Sequence, residues 1–270
     1  MRLGCFGTVQ DIEAVARSGF DFIELNLREL IALSPAQFQT VRSRLQDAGL
    51  GADACSWVLP VELDLTSPAT RFADWRGYVE TGAQRAALLG TAVWPLGSGK
   101  GRSLKMANGT AEEQTARFAE FTVQLAEIAG AAGIAVAVEP LGPAYSNYLG
   151  TIAQAAAFAG RLGCANVGTM CDLRHMTASG DSIGEIGRWG NQILHAHIDL
   201  PAGEKRLFPR PDDGWDYTDY LRAIQAIHVQ RLSIEALHEA DLGAGAGSVA
   251  YLRELLQAAA HSAAMSEVLP

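Results

Sequence analysis

The fold of this chain is decided by four stretches: IAVAVEP (134–140), NVGTMCD (166–172), ILHAHID (193–199) and RLSIEA (231–236). Each is a short apolar run that closes with an acidic or imidazole side chain. Segments with helical periodicity lie between them, which is the pattern of repeated strand–helix units in a parallel sheet. The second half of the chain therefore predicts four consecutive parallel strands.

The first half continues the same alternation. Its strand candidates are LGCF (3–6), FDFIEL (20–25), GADACSW (51–57) and TAVWPL (91–96). Ser34-Pro35 predicts a helix start, the stretch 110–132 has apolar residues at spacings of three and four, and four glycines stand between a helix and a strand: Gly49, Gly90, Gly133 and Gly163. Eight parallel strands close naturally into a barrel.

The chain length agrees with a (β/α)₈ TIM barrel. It has 270 residues, and such barrels run to roughly 250. We predict a single barrel domain over residues 1–262 and a C-terminal tail over 263–270. A doubly wound open sheet is the alternative, but no G-x-G-x-x-G follows the first strand.

Composition limits the partners and the setting. The formal net charge of −9 opposes nucleic-acid binding, which depends on clustered Lys and Arg. No membrane-spanning stretch and no leader-like N-terminus is evident, so a cytoplasmic protein is expected. The four cysteines form no C-x-x-C pair and are expected to be buried rather than bonded or metal-binding: Cys5, Cys55, Cys164 and Cys171.

Polar side chains close the last four predicted strands: Glu139, Asp172, His197 and Glu235. Active sites of such barrels form at the C-terminal strand ends. A single carboxylate there is equally well explained as a helix cap. Three carboxylates on one rim would repel one another, however, and a divalent cation removes that difficulty. We predict one divalent ion, with Mn²⁺, Mg²⁺ or Co²⁺ suited to the ligand set and Zn²⁺ tolerated.

These residues resemble the xylose-isomerase-like barrel superfamily, in particular its sugar isomerase and epimerase branch. The matching pieces are VEP at Glu139, D-x-x-H from Asp172 to His175, H-x-H from His195 to His197, and IEA at Glu235. The resemblance implies that Glu139, Asp172, His197 and Glu235 bind the metal. It further implies that the two glutamates act as acid and base on opposite faces of the substrate.

Other residues are candidates for substrate contact. The resemblance implies that His175 contacts the carbonyl or a neighbouring hydroxyl, and that an Arg after the seventh strand reaches the site; Arg206 in PAGEKRLFPRPDDG (201–214) fits, with Arg210 as the alternative. Three more candidates come from strand ends and from the loop GSGKGR (97–102), whose Lys100 and Arg102 suit an anionic group: Trp57, Trp94 and Lys100. Core packing explains the tryptophans equally well. Strand alternation predicts an interior or supporting place for His195, and a helix surface is expected for His238.

The predicted chemistry moves a proton beside a carbonyl, which needs a base, an acid and a cation that stabilises the enediolate oxygen. The predicted enzyme is therefore an isomerase or epimerase of a small carbohydrate or keto-polyol, with homo-oligomerisation left open. A metal-dependent dehydratase or lyase starts with the same proton abstraction and is the main alternative. An apurinic endonuclease-like enzyme would need further histidines where the chain has CSWV and VWPL, and a non-catalytic binding barrel would not need four metal-type side chains.

Overall fold

Parallel strands alternate with helices along the whole chain. The computed structural model describes residues 1–239 and 241–267, with backbone alone for 261–267. Within that part the strands are β1 Arg2–Gly7, β2 Phe22–Asn26, β3 Gly51–Ser56, β4 Val93–Leu96, β5 Ala135–Val138, β6 Val167–Asp172, β7 Ile193–Ile198 and β8 Arg231–Ile234. Every strand candidate from the sequence is among them.

The strands form one closed barrel in chain order. All neighbouring pairs are parallel, and β1 pairs with β8 through Arg2↔Arg231 and Cys5↔Ile234. The predicted (β/α)₈ TIM barrel is thus confirmed, and the open doubly wound sheet is excluded. Closure brings the C-terminal ends of β5, β6, β7 and β8 to one rim of the barrel.

Helices surround the barrel. In the described part they are α1 Ile12–Arg17, α2 Leu27–Ala32, α3 Pro35–Asp47, α4 Arg76–Leu88, α5 Gly99–Arg102, α6 Ala111–Ala131, α7 Ile152–Leu162, α8 Leu173–Ser179, α9 Gly184–Arg188, α10 Thr218–Ala226 and α11 Gly245–Glu267. No helix of the described residues is long and apolar enough to cross a membrane.

Local signals in the sequence set several helix ends. Ser34 and Thr110 each begin a helix with a capping box, completed by Gln37 and Glu113. The four predicted glycine stops all have a positive φ: 62° at Gly49, 78° at Gly90, 75° at Gly133 and 68° at Gly163. Glycine adopts the left-handed backbone conformation at little cost in free energy. These positions therefore end the helix and turn the chain toward the next strand.

The side chains of the strands point alternately toward the surrounding helices and into the barrel, and they form a hydrophobic core on each side. Those that point outward pack against the helices in one large cluster, which includes Trp94. Those that point inward fill the barrel with a smaller apolar layer of Phe22, Ala54, Val93, Ala137 and Met170, joined by Leu194. The interior is therefore packed rather than hollow, as is usual for eight strands.

An ion-pair cluster lies at the N-terminal end of the barrel. Asp53 pairs with Arg2 at 2.9 Å and with Arg231 at 3.3 Å, and so ties β3 to β1 and β8. This ion-pair cluster lies at the opposite end of the strands from the strand-end carboxylates. It is therefore separate from the candidate site.

The predicted domain boundary at residue 262 stays a prediction. Helix α11 runs across it to Glu267, and residues 268–270 of the predicted tail lie outside the described residues. All four cysteines are free in the structure. Cys5, Cys55 and Cys171 are buried, as predicted, whereas Cys164 is half-buried.

We expect Gly168→Ala to lower the free energy of unfolding by about 1–3 kcal/mol, the usual cost of overpacking. A Cβ at Gly168 would lie 2.4 Å from the carbonyl oxygen of Gln192, which strand β7 holds in place. Urea denaturation followed by circular dichroism measures the change. Gly187→Ala is the control, because a Cβ there meets nothing within 4 Å. Equal stability of Gly168→Ala and the wild type would contradict the close packing of β6 on β7.

Candidate active site

The four predicted metal ligands lie together at the C-terminal rim of the barrel. Glu139 directly follows β5, Asp172 ends β6, His197 lies in β7 and Glu235 directly follows β8. The rim is held in register by backbone hydrogen bonds, since the N–H of Glu139 donates to Leu96 and that of Glu235 donates to Ile198. Four consecutive strands thus each contribute one side chain.

The ligand atoms of these four residues lie within 4.8 Å of one another. His197 Nδ1 is the centre of the group, at 3.5 Å from Glu139 Oε1, 3.6 Å from Glu235 Oε2 and 3.8 Å from Asp172 Oδ2. All four residues are buried. The arrangement concentrates three carboxylates in a region of low dielectric, where charge interactions are strong.

Asp172 has two roles at once. Its Oδ1 accepts a hydrogen bond from the N–H of His175 and caps helix α8, while its Oδ2 faces the cluster. The capping explanation and the ligand explanation therefore do not exclude each other. The cap fixes the rotamer that turns Oδ2 toward His197.

Glu24 lies directly beneath the cluster. Its Oε1 is 3.0 Å from His197 Nε2, and its Oε2 is 2.8 Å from His195 Nε2. The hydroxyl of Ser233 donates to Oε2 at 2.5 Å, and that of Ser56 donates to Oε1. A fully buried carboxylate is thus stabilised by four hydrogen bonds. His195 has the interior position that strand alternation predicts.

Arg206 reaches into the cluster from the β7–α10 loop. Its Nη1 lies 2.5 Å from Glu235 Oε2 and 3.4 Å from Asp172 Oδ2, and its Nη2 lies 2.9 Å from His175 Nε2. Arg210 instead points to the surface and pairs with Glu239 at 2.9 Å. Of the two arginine candidates, the structure places Arg206 at the site.

Two side chains hold the loop that carries Arg206. His238 binds its backbone twice, because His238 Nδ1 accepts from the Arg206 N–H at 2.8 Å and the His238 N–H donates to the Arg206 carbonyl at 3.1 Å. Arg174 pairs with Asp199 at 2.7 Å and donates to the carbonyls of Leu200, Gly203 and Lys205. His238 lies in a turn after β8 and not on a helix surface, so that expectation was wrong.

The remaining substrate candidates have different positions. His175 lies in the cluster, with Nε2 at 3.8 Å from Glu139 Oε1, and the ring of Tyr145 packs against it at 4.9 Å. Trp57 follows β3 on the same side of the barrel and is 43% exposed, with the guanidinium of Arg28 4.4 Å from the centre of its ring. An exposed aromatic ring there is accessible to a ligand.

Trp94 and Lys100 do not reach the cluster. Trp94 points outward from β4 and is fully buried in the core under the helices, because its neighbour Val93 takes the inward position. The prediction of substrate contact is therefore wrong for Trp94, and Trp57 is the one tryptophan candidate left at the rim. Lys100 is exposed on α5, and Arg102 is buried, where it donates to the carbonyls of Glu139 and Leu149.

The carboxylates of the cluster differ in their affinity for protons. Burial raises the pKa of Glu235 to about 8, despite the opposing charge of Arg206. Burial also disfavours the charged form of Glu139 and Asp172, but His197 lowers the pKa of Glu139, and His175 with Arg206 lowers the pKa of Asp172 to about 2. Three similar carboxyl groups thus have different pKa values, which are lowered for Glu139 and Asp172 and raised for Glu235.

The donor set fits a divalent cation. His197 Nδ1 is buried and has no hydrogen-bond partner, although three carboxylates surround it. Since Nε2 faces Glu24, Nδ1 is the nitrogen left to bind a metal. Three carboxylate oxygens with one imidazole nitrogen suit Mn²⁺, Mg²⁺, Co²⁺ or Zn²⁺. Glu139, Asp172, His197 and Glu235 would hold the ion.

Sequence reasoning did not find several residues of the site: Glu24, Tyr145, Arg174 and Asp199. Glu24 had a signal, since it is the one charged residue within the apolar run FIEL of β2 (22–25) and strand alternation places it inward with Phe22. Tyr145 and Arg174 had none, because their contacts depend on the paths of the loops.

Known proteins with the same architecture were compared with the chain. The xylose isomerase-like TIM barrel family model matches residues 12–258. Among characterised proteins, the D-psicose 3-epimerase of Agrobacterium fabrum (strain C58) is 28% identical over 200 residues. That match covers 69% of this chain and 65% of the relative, which is slightly less than two thirds of the relative's length.

Solved structures agree in fold along nearly the whole chain. An L-ribulose 3-epimerase superposes with a TM-score of 0.82 at 22% identity, covering 100% of this chain and 99% of the other. A D-psicose 3-epimerase crystallised with D-fructose gives 0.76 at 21% identity and 97% coverage of both chains. The 3-keto-D-glucoside 4-epimerase of E. coli gives 0.76 at 16% identity, covering 94% and 99%. The match to the family model extends over most of the chain and includes every strand from β2 to β8, so the chain belongs to the xylose isomerase-like TIM barrel family.

Proposed function

We propose that this chain is a divalent-metal-dependent epimerase or isomerase of a small sugar or keto-polyol. The observation that carries the proposal is the convergence of Glu139, Asp172, His197 and Glu235 within 4.8 Å around an unpartnered His197 Nδ1. Three crowded carboxylates and a free imidazole nitrogen are a costly arrangement unless a cation balances them. The relatives named above are sugar epimerases, which supports the same class of reaction here.

Glu139 and Glu235 are the proton-transfer groups in this proposal. They end β5 and β8 and flank Asp172 and His197 from opposite sides of the rim. One carboxylate removes the proton from the carbon next to the carbonyl, and the other returns a proton on the opposite face. Return to the same carbon inverts it, whereas return to the neighbouring carbon interconverts ketose and aldose.

A bound divalent ion would stabilise the negative charge that develops on the substrate oxygens. The other side chains bind and orient the substrate. Arg206 donates to His175 Nε2 at 2.9 Å and presents its other guanidinium N–H groups beside the carboxylates. Trp57 and Tyr145, which are 43% and 45% exposed, offer apolar surface for the carbon skeleton. Lys100 is exposed and forms no ion pair with any residue that the structure describes. As an exposed cation it would suit only an anionic group that extends away from the carbon skeleton.

A dehydratase or lyase is the second candidate. Removal of the proton by the same carboxylate would then be followed by loss of the hydroxyl group on the next carbon, which leaves as water, instead of by reprotonation of carbon. Arg206 favours this candidate no more than the first, because its donors suit either a carbonyl or a departing hydroxyl. Product analysis separates the two, since only dehydration changes the mass of the substrate.

The prediction on the metal is that Asp172→Asn or His197→Ala removes most of the bound ion, because each variant loses one of four ligands. Metal content of dialysed protein and Mn²⁺ titration by calorimetry measure it. Asp53→Asn is the control, since it removes a buried carboxylate at the other end of the barrel. Full occupancy in both site variants would refute the ligand assignment.

The prediction on proton transfer is that Glu139→Gln and Glu235→Gln each reduce turnover by about 10²–10⁴-fold, as expected when a general acid or base is lost. Glutamine keeps the shape of the side chain but accepts no proton. Ketoses, inososes and small keto acids are first screened for conversion by the wild type, with C–H exchange followed in D₂O. In a two-base mechanism, one variant still exchanges a substrate proton without forming product.

Glu62→Gln is the matched control for the proton-transfer variants. Glu62 is an exposed carboxylate in the loop after β3 on the same side of the barrel, so turnover should remain near that of the wild type. Near-wild-type turnover in either Glu139→Gln or Glu235→Gln would mean that the glutamates only bind the metal.

We further predict no cleavage of abasic duplex DNA. Among the described residues the two groups that fit a metal share His197, so they provide one ion, and the further histidines that the endonuclease-like alternative needs are missing from CSWV and VWPL. The net charge of −9 also opposes a DNA surface. Gel analysis with Mn²⁺ or Zn²⁺ present, against a metal-free control, is the test, and metal-dependent cleavage would reverse this conclusion.

A further inference from the structure

We infer that Glu24 is a positioning residue that sets the tautomer of His197 and so prepares His197 Nδ1 to bind the metal. The inference rests on the proposed function for its purpose, because the free nitrogen matters only if an ion binds. The tautomer itself follows from contacts within the barrel.

The hydrogen-bond chemistry of Glu24 leaves one choice for His197. A carboxylate accepts hydrogen bonds and donates none, so the His197 nitrogen at 3.0 Å from Glu24 Oε1 must carry the proton. That nitrogen is Nε2. A histidine must be neutral to bind a metal, and a neutral imidazole has one N–H. In the neutral form of His197, Nδ1 therefore keeps its lone pair and faces Glu139, Asp172 and Glu235.

Glu24 is held as an acceptor by its other neighbours. The hydroxyls of Ser56 and Ser233 donate to it, and His195 Nε2 lies 2.8 Å from its Oε2. An ionised carboxylate has about four acceptor positions, and these partners together with His197 occupy them. Glu24 is fully buried, so water does not compete for them.

The position of Glu24 also restricts the His197 ring. Glu24 lies in β2 and His197 in β7, on opposite arcs of the barrel, and the hydrogen bond between them crosses the interior. The ring is fixed by Glu24 on one side while its other edge stays open to the carboxylates. Such carboxylate–histidine–metal arrangements orient the ligand and raise its basicity.

The test is a comparison of wild type and Glu24→Gln, both metal-free and at a pH high enough for His197 to be neutral, by ¹⁵N–¹H long-range NMR on histidine-labelled protein. We expect wild-type His197 to be protonated at Nε2. In Glu24→Gln the amide can donate to Nε2, so the proton should move wholly or partly to Nδ1. Calorimetric titration should then show Mn²⁺ affinity reduced by about 10–100-fold, the usual effect of removing such a partner.

Asp53→Asn is again the control, since Asp53 is a buried carboxylate one strand away that contacts Arg2 and Arg231 instead of a ligand. Its His197 signal and Mn²⁺ affinity should match those of the wild type. A neutral wild-type His197 that carries its proton at Nδ1 would overturn the inference, as would a Glu24→Gln variant with unchanged tautomer and affinity. If Glu24→Gln does not fold, the wild-type tautomer decides.

Failure of the proposed function gives a different result. A wild-type chain that binds no Mn²⁺ contradicts the metal site, whereas the tautomer of metal-free His197 reports on Glu24 whether or not an ion binds.

Discussion

Electrostatic repulsion between three buried carboxylates is the constraint around which the rim of this barrel is organised. Glu139, Asp172 and Glu235 converge within 4.8 Å, and an isolated cluster of that kind would resist folding. The chain supplies cations next to it: the guanidinium of Arg206 contacts Glu235 and Asp172, and His197 stands among all three acids. Arg206 and His197 thus offset part of the negative charge within a few ångströms, and the proposed divalent ion would offset the rest.

The barrel interior meets this constraint in layers. The apolar layer with Phe22, Ala137 and Met170 excludes water from below. Glu24 and His195 form a hydrogen-bonded layer above it, and Glu139, Asp172, His197 and Glu235 form the rim. Each layer is packed on the one beneath, which limits the rotamers available to the side chains of the rim. Such preorganisation is what a site needs if charge is to be stabilised during a reaction.

The barrel architecture by itself does not specify a reaction, because the same fold supports many activities. What distinguishes this chain is the content of its strand ends and loops. The loop after β7 brings Arg206 to the carboxylates, and its course depends on Arg174 and His238, which bind its backbone. In the proposed function, substrate choice would depend on loops that the shared fold leaves free to vary, with Trp57 and Tyr145 on the same side of the barrel.

Sequence patterns alone predict the eight strands, the glycine-ended helices and the places of Glu139, Asp172, His197 and Glu235 at the strand ends. These features are local, since strand periodicity, helix caps and the residue that closes a strand depend on neighbours along the chain. Only the tertiary structure decided that Glu24 meets His195, 171 residues away, that Trp94 faces the helices, and that Arg206 rather than Arg210 reaches the site. These outcomes depend on how β1 closes onto β8, on the register shift between β6 and β7, and on loop paths held by distant side chains. Contacts between residues so far apart in sequence exist only once the closed barrel has brought them together.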